Sequence, residues 1–120
     1  MPRSWTSLKR RADFLRIGRS GLKQVTPAFI LQAAMTEPES PRRIGFTASR
    51  KLGDAVTRNR AKRRLRAAAD EALKGFDLGA AFDYVLIGRA AVLDRDFEVI
   101  VRELQSAMTR LSRSGTVKRP

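Results

Sequence analysis

Arg58-Asn59-Arg60-Ala61-Lys62-Arg63-Arg64-Leu65-Arg66 holds six cations in nine residues and no acid. Good helix formers follow, Ala67-Ala68-Ala69-Asp70-Glu71-Ala72-Leu73-Lys74, and Gly75 is a stop. The pattern predicts a helix of roughly five turns. At about 100° per residue, Ala61, Leu65, Ala68, Ala69, Ala72 and Leu73 gather on a core-facing stripe. Arg60, Lys62, Arg63, Arg64 and Arg66 fan around the other side, with Asn59 among them. Like charges three and four residues apart repel, and the macrodipole disfavours cations in the N-terminal half of a helix. Selection for stability alone would put acids there. The arrangement makes sense if an anion arrives from outside, and a polyphosphate backbone is the obvious one. Small Ala61 lets the helix lie close to whatever it packs on.

The rest of the composition agrees. The chain has 120 residues, enough for one domain with a modest core, and is 42% hydrophobic. Its 25 basic residues against 12 acids leave a net charge of +13, with a pI near 11.6. Such a charge points to nucleic acid or an anionic surface as partner, not a small metabolite. No stretch is long and apolar enough to span a bilayer, and no membrane partner is expected. The N-terminus has no apolar core of a secretory signal, so a cytoplasmic location is expected. There is no cysteine and no histidine. Disulfides, thiolate nucleophiles and Cys/His zinc sites are thereby excluded, and the commonest general base is missing.

Upstream of the basic helix, Arg50-Lys51-Leu52-Gly53-Asp54 forms a connection, with Asp54 and Thr57 both possible N-caps. Residues 43–49 alternate, with Ile44, Phe46 and Ala48 on one face. Residues 28–35 alternate too, with Phe29, Leu31 and Ala33 opposite Ile30, Gln32 and Ala34. Pro27 separates this strand from a short one before it. Glu37-Pro38-Glu39-Ser40-Pro41 is a turn by composition, and the two strands beside it are expected to form an antiparallel hairpin. Residues 8–18 predict a short amphipathic helix, beginning as late as Arg11 and ended by Gly18 with Gly21. Residues 1–7 are expected to be a flexible arm, in which Trp5 is the one residue with reason to pack.

Downstream, residues 75–81 are a loop. Phe82-Asp83-Tyr84-Val85-Leu86-Ile87-Gly88 is a nearly continuous apolar run, suited to a central strand buried on both faces. A strand–helix–strand order makes it parallel to the strand before the helix. Residues 90–93 are a loop, and Asp94 caps a last helix whose core face is Phe97, Ile100, Val101, Leu104, Met108 and Leu111. Residues 113–120 are a basic tail, expected to be flexible. The fold class is α+β: a single-domain α/β sandwich over residues 1–120, ordered helix, strands, helix, strand, helix.

Chemistry-bearing motifs are few. Asp94, Asp96 and Glu98 could hold magnesium, but acids belong at a helix N-terminus and no second cluster completes a two-metal site. There is no glycine-rich phosphate loop. Strands flank the basic helix, which argues against a helix-turn-helix. Most aromatics are core by pattern, with one or two available to stack on unpaired bases. From residues alone, the chain reads as an RNA-binding protein, and a ribosomal or other structured-RNA-binding protein without a catalytic role fits that composition. A nuclease acting alone is the weaker reading.

The run Gly45-Phe46-Thr47-Ala48-Ser49-Arg50-Lys51-Leu52-Gly53-Asp54-Ala55-Val56-Thr57, continuing into Arg58-Asn59-Arg60, resembles the signature of the bacterial ribonuclease P protein family. In that family a Gly-Phe-x-Val-Ser-Lys-Lys strand end precedes Gly-Asn-Ala-Val and an Arg-Asn-Arg helix. The resemblance extends over residues 8–112. It implies a protein subunit with a left-handed βαβ crossover, against the general rule. It also implies a catalytic RNA partner, ribonuclease P RNA, that holds the Mg2+ and cleaves the 5′ leader from precursor tRNA. No residue of the chain would then be catalytic or a metal ligand, and no obligate protein partner is implied. Carried over by position, Arg58, Asn59, Arg60, Lys62, Arg63 and Arg66 would face the RNA subunit. Phe14, Ser49, Lys51 and Arg89 would lie in or near the leader cleft. Gly18 and Gln32 stand where relatives often have aromatics, which implies a differently built stacking surface.

Overall fold

The computed structural model describes residues 5–36, 42–74 and 82–117, with side chains in the last helix as far as residue 112. Its strands are β1 (Thr6–Ser7), β2 (Leu22–Val25), β3 (Phe29–Met35), β4 (Arg43–Ala48) and β5 (Phe82–Gly88). Its helices are α1 (Arg11–Arg19), α2 (Ala55–Ala72) and α3 (Phe97–Val117). The sheet order is β1-β4-β5-β3-β2. β5 takes the central place because, Asp83 apart, its side chains are apolar in both directions, and only half-buried Ile87 falls short of full burial. It runs parallel to β4 and antiparallel to β3, while β2 and β3 pair antiparallel. Among the described residues, no helix is long and apolar enough to cross a membrane.

Alternation splits the core in two. Phe29, Leu31, Ile44, Phe82, Tyr84 and Leu86 face one side, where α2 and α3 cover them. The whole predicted stripe of α2, from Ala61 to Leu73, is buried there. α2 comes close because β5 ends in a glycine: a Cβ on Gly88 would lie 3.4 Å from Leu65 Cδ1 and 3.5 Å from the Ala61 Cβ. The other side carries a smaller core of Leu8, Ile17, Ala34 and Val85, with Phe14 and Ile87 against it, under α1. The sandwich thus has a partial third layer.

Several expectations are corrected. β3 and β4 do not form a hairpin: β5 lies between them, and β3 pairs with β2 instead. Strand alternation shows which face is buried but not which strand is the neighbour, and the doubly apolar β5 has the stronger claim to the centre. Of the expected arm at residues 1–7, the described residues 5–7 join the fold. Thr6 and Ser7 pair parallel with Arg43 and Ile44, and Trp5 is buried. Gly18 does not end α1, which runs to Arg19; the break comes at Gly21, with φ +83°. Asp94 does not cap α3. A 3-10 turn over Ala90–Leu93 delays the helix to Phe97, and the Asp96 carbonyl accepts from the Ile100 amide. α3 continues to Val117, into the residues expected as a tail. Asp54, not Thr57, caps α2: its carboxylate accepts from the Thr57 amide at 2.9 Å. That hydrogen bond holds the Asp54 carboxyl below its ordinary value. The turn expected at 37–41 and the stop at Gly75 lie outside the described residues.

Candidate RNA-binding site

The outer surface of α2 presents Asn59, Arg60, Arg63 and Arg66 exposed, with Arg58 and Lys62 half-buried beside them. Several cations are tethered to carbonyl oxygens, which offsets part of their mutual repulsion. Arg58 Nη1 donates to the Gly53 carbonyl at 3.1 Å, and Arg60 Nη2 to that of Leu93 at 3.4 Å. Arg64, placed in the cationic fan by periodicity, turns inward. Its Nη2 donates to the Arg95 carbonyl at 2.6 Å and pins the approach to α3. Arg66 lies 5.3 Å above the centroid of the Phe46 ring, which meets Trp5 edge-on. Trp5 Nε1 donates to Asp70 Oδ1 at 3.0 Å. The N-terminal strand therefore ties the sheet edge to the second half of α2.

The opposite side of the sheet carries a cleft of about 440 Å³, lined by Lys9, Arg11, Phe14, Gln32, Thr47 and Ile87 among others. α1 makes one wall. Phe14 is seated on Gly45, where a Cβ would fall 2.5 Å from the ring. Gly18 faces Gln32, whose amide would be in ordinary contact with an added Cβ at 3.8 Å. The floor is half-apolar, the rim basic. Ser49, Lys51 and Arg89 do not line the cleft. They sit just past its floor, where β4 and β5 end side by side at Ala48 and Gly88. There Ser49 Oγ accepts from the Lys51 amide, and Arg89 Nη1 donates to the Thr26 carbonyl at 2.9 Å. Of the aromatics, Phe14 and Phe46 line the cleft, Phe29, Phe82 and Tyr84 are buried, and Phe76 is outside the described residues.

Periodicity gave no sign of the ion-pair network beneath α1. Asp83, fully buried in β5, receives Arg43 Nε at 3.0 Å and Nη2 at 2.7 Å. Arg16 Nη2 reaches it from α1 at 2.6 Å and also touches Asp13 at 3.3 Å. The available signal was a lone acid inside an otherwise apolar strand, since a buried charge needs a partner. Burial alone pushes the Asp83 carboxyl up, but the guanidiniums of Arg43 and Arg16 outweigh it and hold it below its ordinary 3.8. Stability from this network is therefore present above the ordinary carboxylate range and is lost as pH falls through the lowered value. Thermal melts should show the wild type losing stability below about pH 4 more steeply than Asp83→Asn. Equal slopes would remove this linkage.

Among the described residues, no three His, Cys, Asp or Glu side chains converge, and Asp94 stands apart at the end of its 3-10 turn. Asp13, Asp83 and Glu103 are committed to arginines.

A guanidinium-rich helix on one layer and a basic-rimmed cleft on the other define an RNA-binding α/β domain. The family model for Ribonuclease P matches residues 1–112. The Ribonuclease P protein component of Paramagnetospirillum magneticum is 41% identical over 108 residues, covering 87% of this chain and 80% of that protein. The one from Gluconacetobacter diazotrophicus is 40% identical, covering 90% and 92%. The RNase P protein of Thermotoga maritima superposes with a TM-score of 0.70 at 28% identity, covering 87% of this chain and 96% of that one. The Staphylococcus aureus RNase P protein gives 0.69 at 27%, covering 87% and 93%. The chain belongs to the ribonuclease P protein family: it is a tRNA-processing subunit of a ribonucleoprotein endoribonuclease and works with that enzyme's RNA subunit.

Proposed function

We propose a division of labour between the two layers. Arg58, Asn59, Arg60, Lys62, Arg63 and Arg66 on α2 bind the RNA subunit. The cleft under α1 takes the single-stranded 5′ leader of precursor tRNA, with Phe14 offering a ring to an unpaired base and Lys9 and Arg11 meeting its phosphates. Ser49, Lys51 and Arg89 extend this path beyond the strand ends. The observation that carries the reading is the cleft itself: half-apolar floor, the rings of Phe14 and Phe46 in its lining and a cationic rim, on the layer opposite the basic helix. In this reading the RNA subunit holds the Mg2+ and performs the hydrolysis. The protein raises affinity for precursor over mature tRNA, in the cytoplasm. With Gly18 and Gln32 offering no ring, Phe14 is the stacking surface that α1 supplies.

The test is cleavage of a 5′-extended precursor tRNA at low magnesium, with protein alone, a bacterial ribonuclease P RNA alone, and both. Activity at the mature 5′ end should appear only in the mixture. Cleavage by the protein alone, or tight RNA binding without stimulation, would contradict the reading.

A further inference from the structure

α1 is nine residues long and buries one side chain completely, Ile17. A helix that short does not hold itself in water. What fixes its pose is directional. Arg43, 34% exposed, grips Asp83 with two nitrogens from the neighbouring strand. Arg16, 41% exposed, reaches down from α1 to the same carboxylate. Asp13 closes the ring, 3.8 Å from Arg43 Nη1. Buried ion pairs often stabilise no better than well-packed apolar groups, but their geometry is specific.

Strand register locates this ring relative to the cleft. Asp83 is level with Ala34 and Arg43. The next row on that face is Gln32, Val85 and Gly45, where Phe14 is seated. The row after it is Ile30, Ile87 and Thr47, the open floor. Rows are spaced ~7 Å apart, two residues along a strand. The ion pairs thus clamp α1 at the closed end of the cleft, one row behind Phe14.

We propose that Asp83 is a positioning residue for the substrate: through Arg16 it sets the tilt of α1, and so the gap between the Phe14 ring and the floor that receives an unpaired nucleotide. The inference rests on the leader reading above. Arg16 uses one nitrogen for both carboxylates, so a lysine ammonium can replace it in part. In Arg16→Met, Asp83 keeps its two-nitrogen contact with Arg43, and the fold persists.

The experiment uses the reconstituted holoenzyme and compares affinity for precursor tRNA bearing a leader long enough to fill the cleft with one bearing a single leader nucleotide. A stacked base is worth on the order of tenfold in affinity, so the wild type should show a long-leader gain of about that size. Arg16→Met should bring the gain close to one while RNA-subunit affinity is unchanged. Arg16→Lys should restore most of it. A wild-type gain that survives in Arg16→Met overturns the clamp alone. Loss of RNA-subunit binding in parallel would mark general unfolding and overturns it too. A wild type without any gain removes the leader reading, and the clamp with it.

Discussion

Arg60→Ala, Arg63→Ala and Arg66→Ala combined in one chain should flatten the salt dependence of binding to the RNA subunit by about three ions. The three residues are exposed along the open face of α2, so their loss leaves the buried stripe intact. If six cations each neutralise a phosphate, wild-type affinity falls on the order of a thousand-fold between about 50 and 200 mM salt, and the triple variant's by only roughly forty-fold. The check is a series of equilibrium titrations across that salt range, with circular dichroism to verify the fold. A slope that does not change would place the contact elsewhere on the molecule.

Leu65→Ala should have the largest effect on stability. Leu65 is fully buried, between the open face of α2 and the end of β5, where Gly88 and Ala61 let helix and strand approach. Deleting its isobutyl group removes apolar burial and leaves a cavity that a sheet on one side and a helix on the other cannot close. The expected cost is ~3 kcal/mol, within the range for Leu→Ala in cores. For a domain of this size that lowers Tm by roughly 10 °C. Below the transition the salt slope for RNA should match the wild type, because no cation moves. A loss under about 1 kcal/mol would mean that α2 is not seated on β5 in this way.

The buried stripe of α2 was legible because what makes it is local: the 3.6-residue spacing and the absence of acids among nine residues lie within one stretch. The choice between Asp54 and Thr57 as its cap was not, since both side chains can accept and only the backbone entering the helix decides. β5 was legible for a similar reason, since a doubly apolar run has few places to go except the middle of a sheet. Strand pairing is different. Nothing within residues 28–35 or 43–49 says that a third strand, separated from them by an entire helix, will insert between the two. The short β1 was invisible as well. Thr6 and Ser7 carry no hydrophobic alternation, and their pairing depends on Trp5 and Leu8 finding cores on opposite sides of the same edge.

The candidate site divides along the same line. Facing direction on a helix can be computed from spacing, so the outward cations of α2 could be named in advance. Arg64 shows the limit: angle alone put it with the others, but a carbonyl of the α3 approach lies within its reach. The cleft needed the third dimension. Phe14, Gln32, Thr47 and Ile87 come from four separate elements, and their juxtaposition follows from sheet order. Ser49, Lys51 and Arg89 came from family likeness, and their position past the cleft floor is a property of where β4 and β5 stop.

The central claim is that the two layers bind different RNAs, and the missing cysteines make it directly testable. Thr47→Cys on the cleft floor and Arg63→Cys on the face of α2 each create a unique thiol for a short photo-crosslinker. In the holoenzyme bound to precursor tRNA, the Thr47→Cys probe should join the 5′ leader and the Arg63→Cys probe the RNA subunit. Both probes on the same RNA, or the two assignments reversed, would contradict the account.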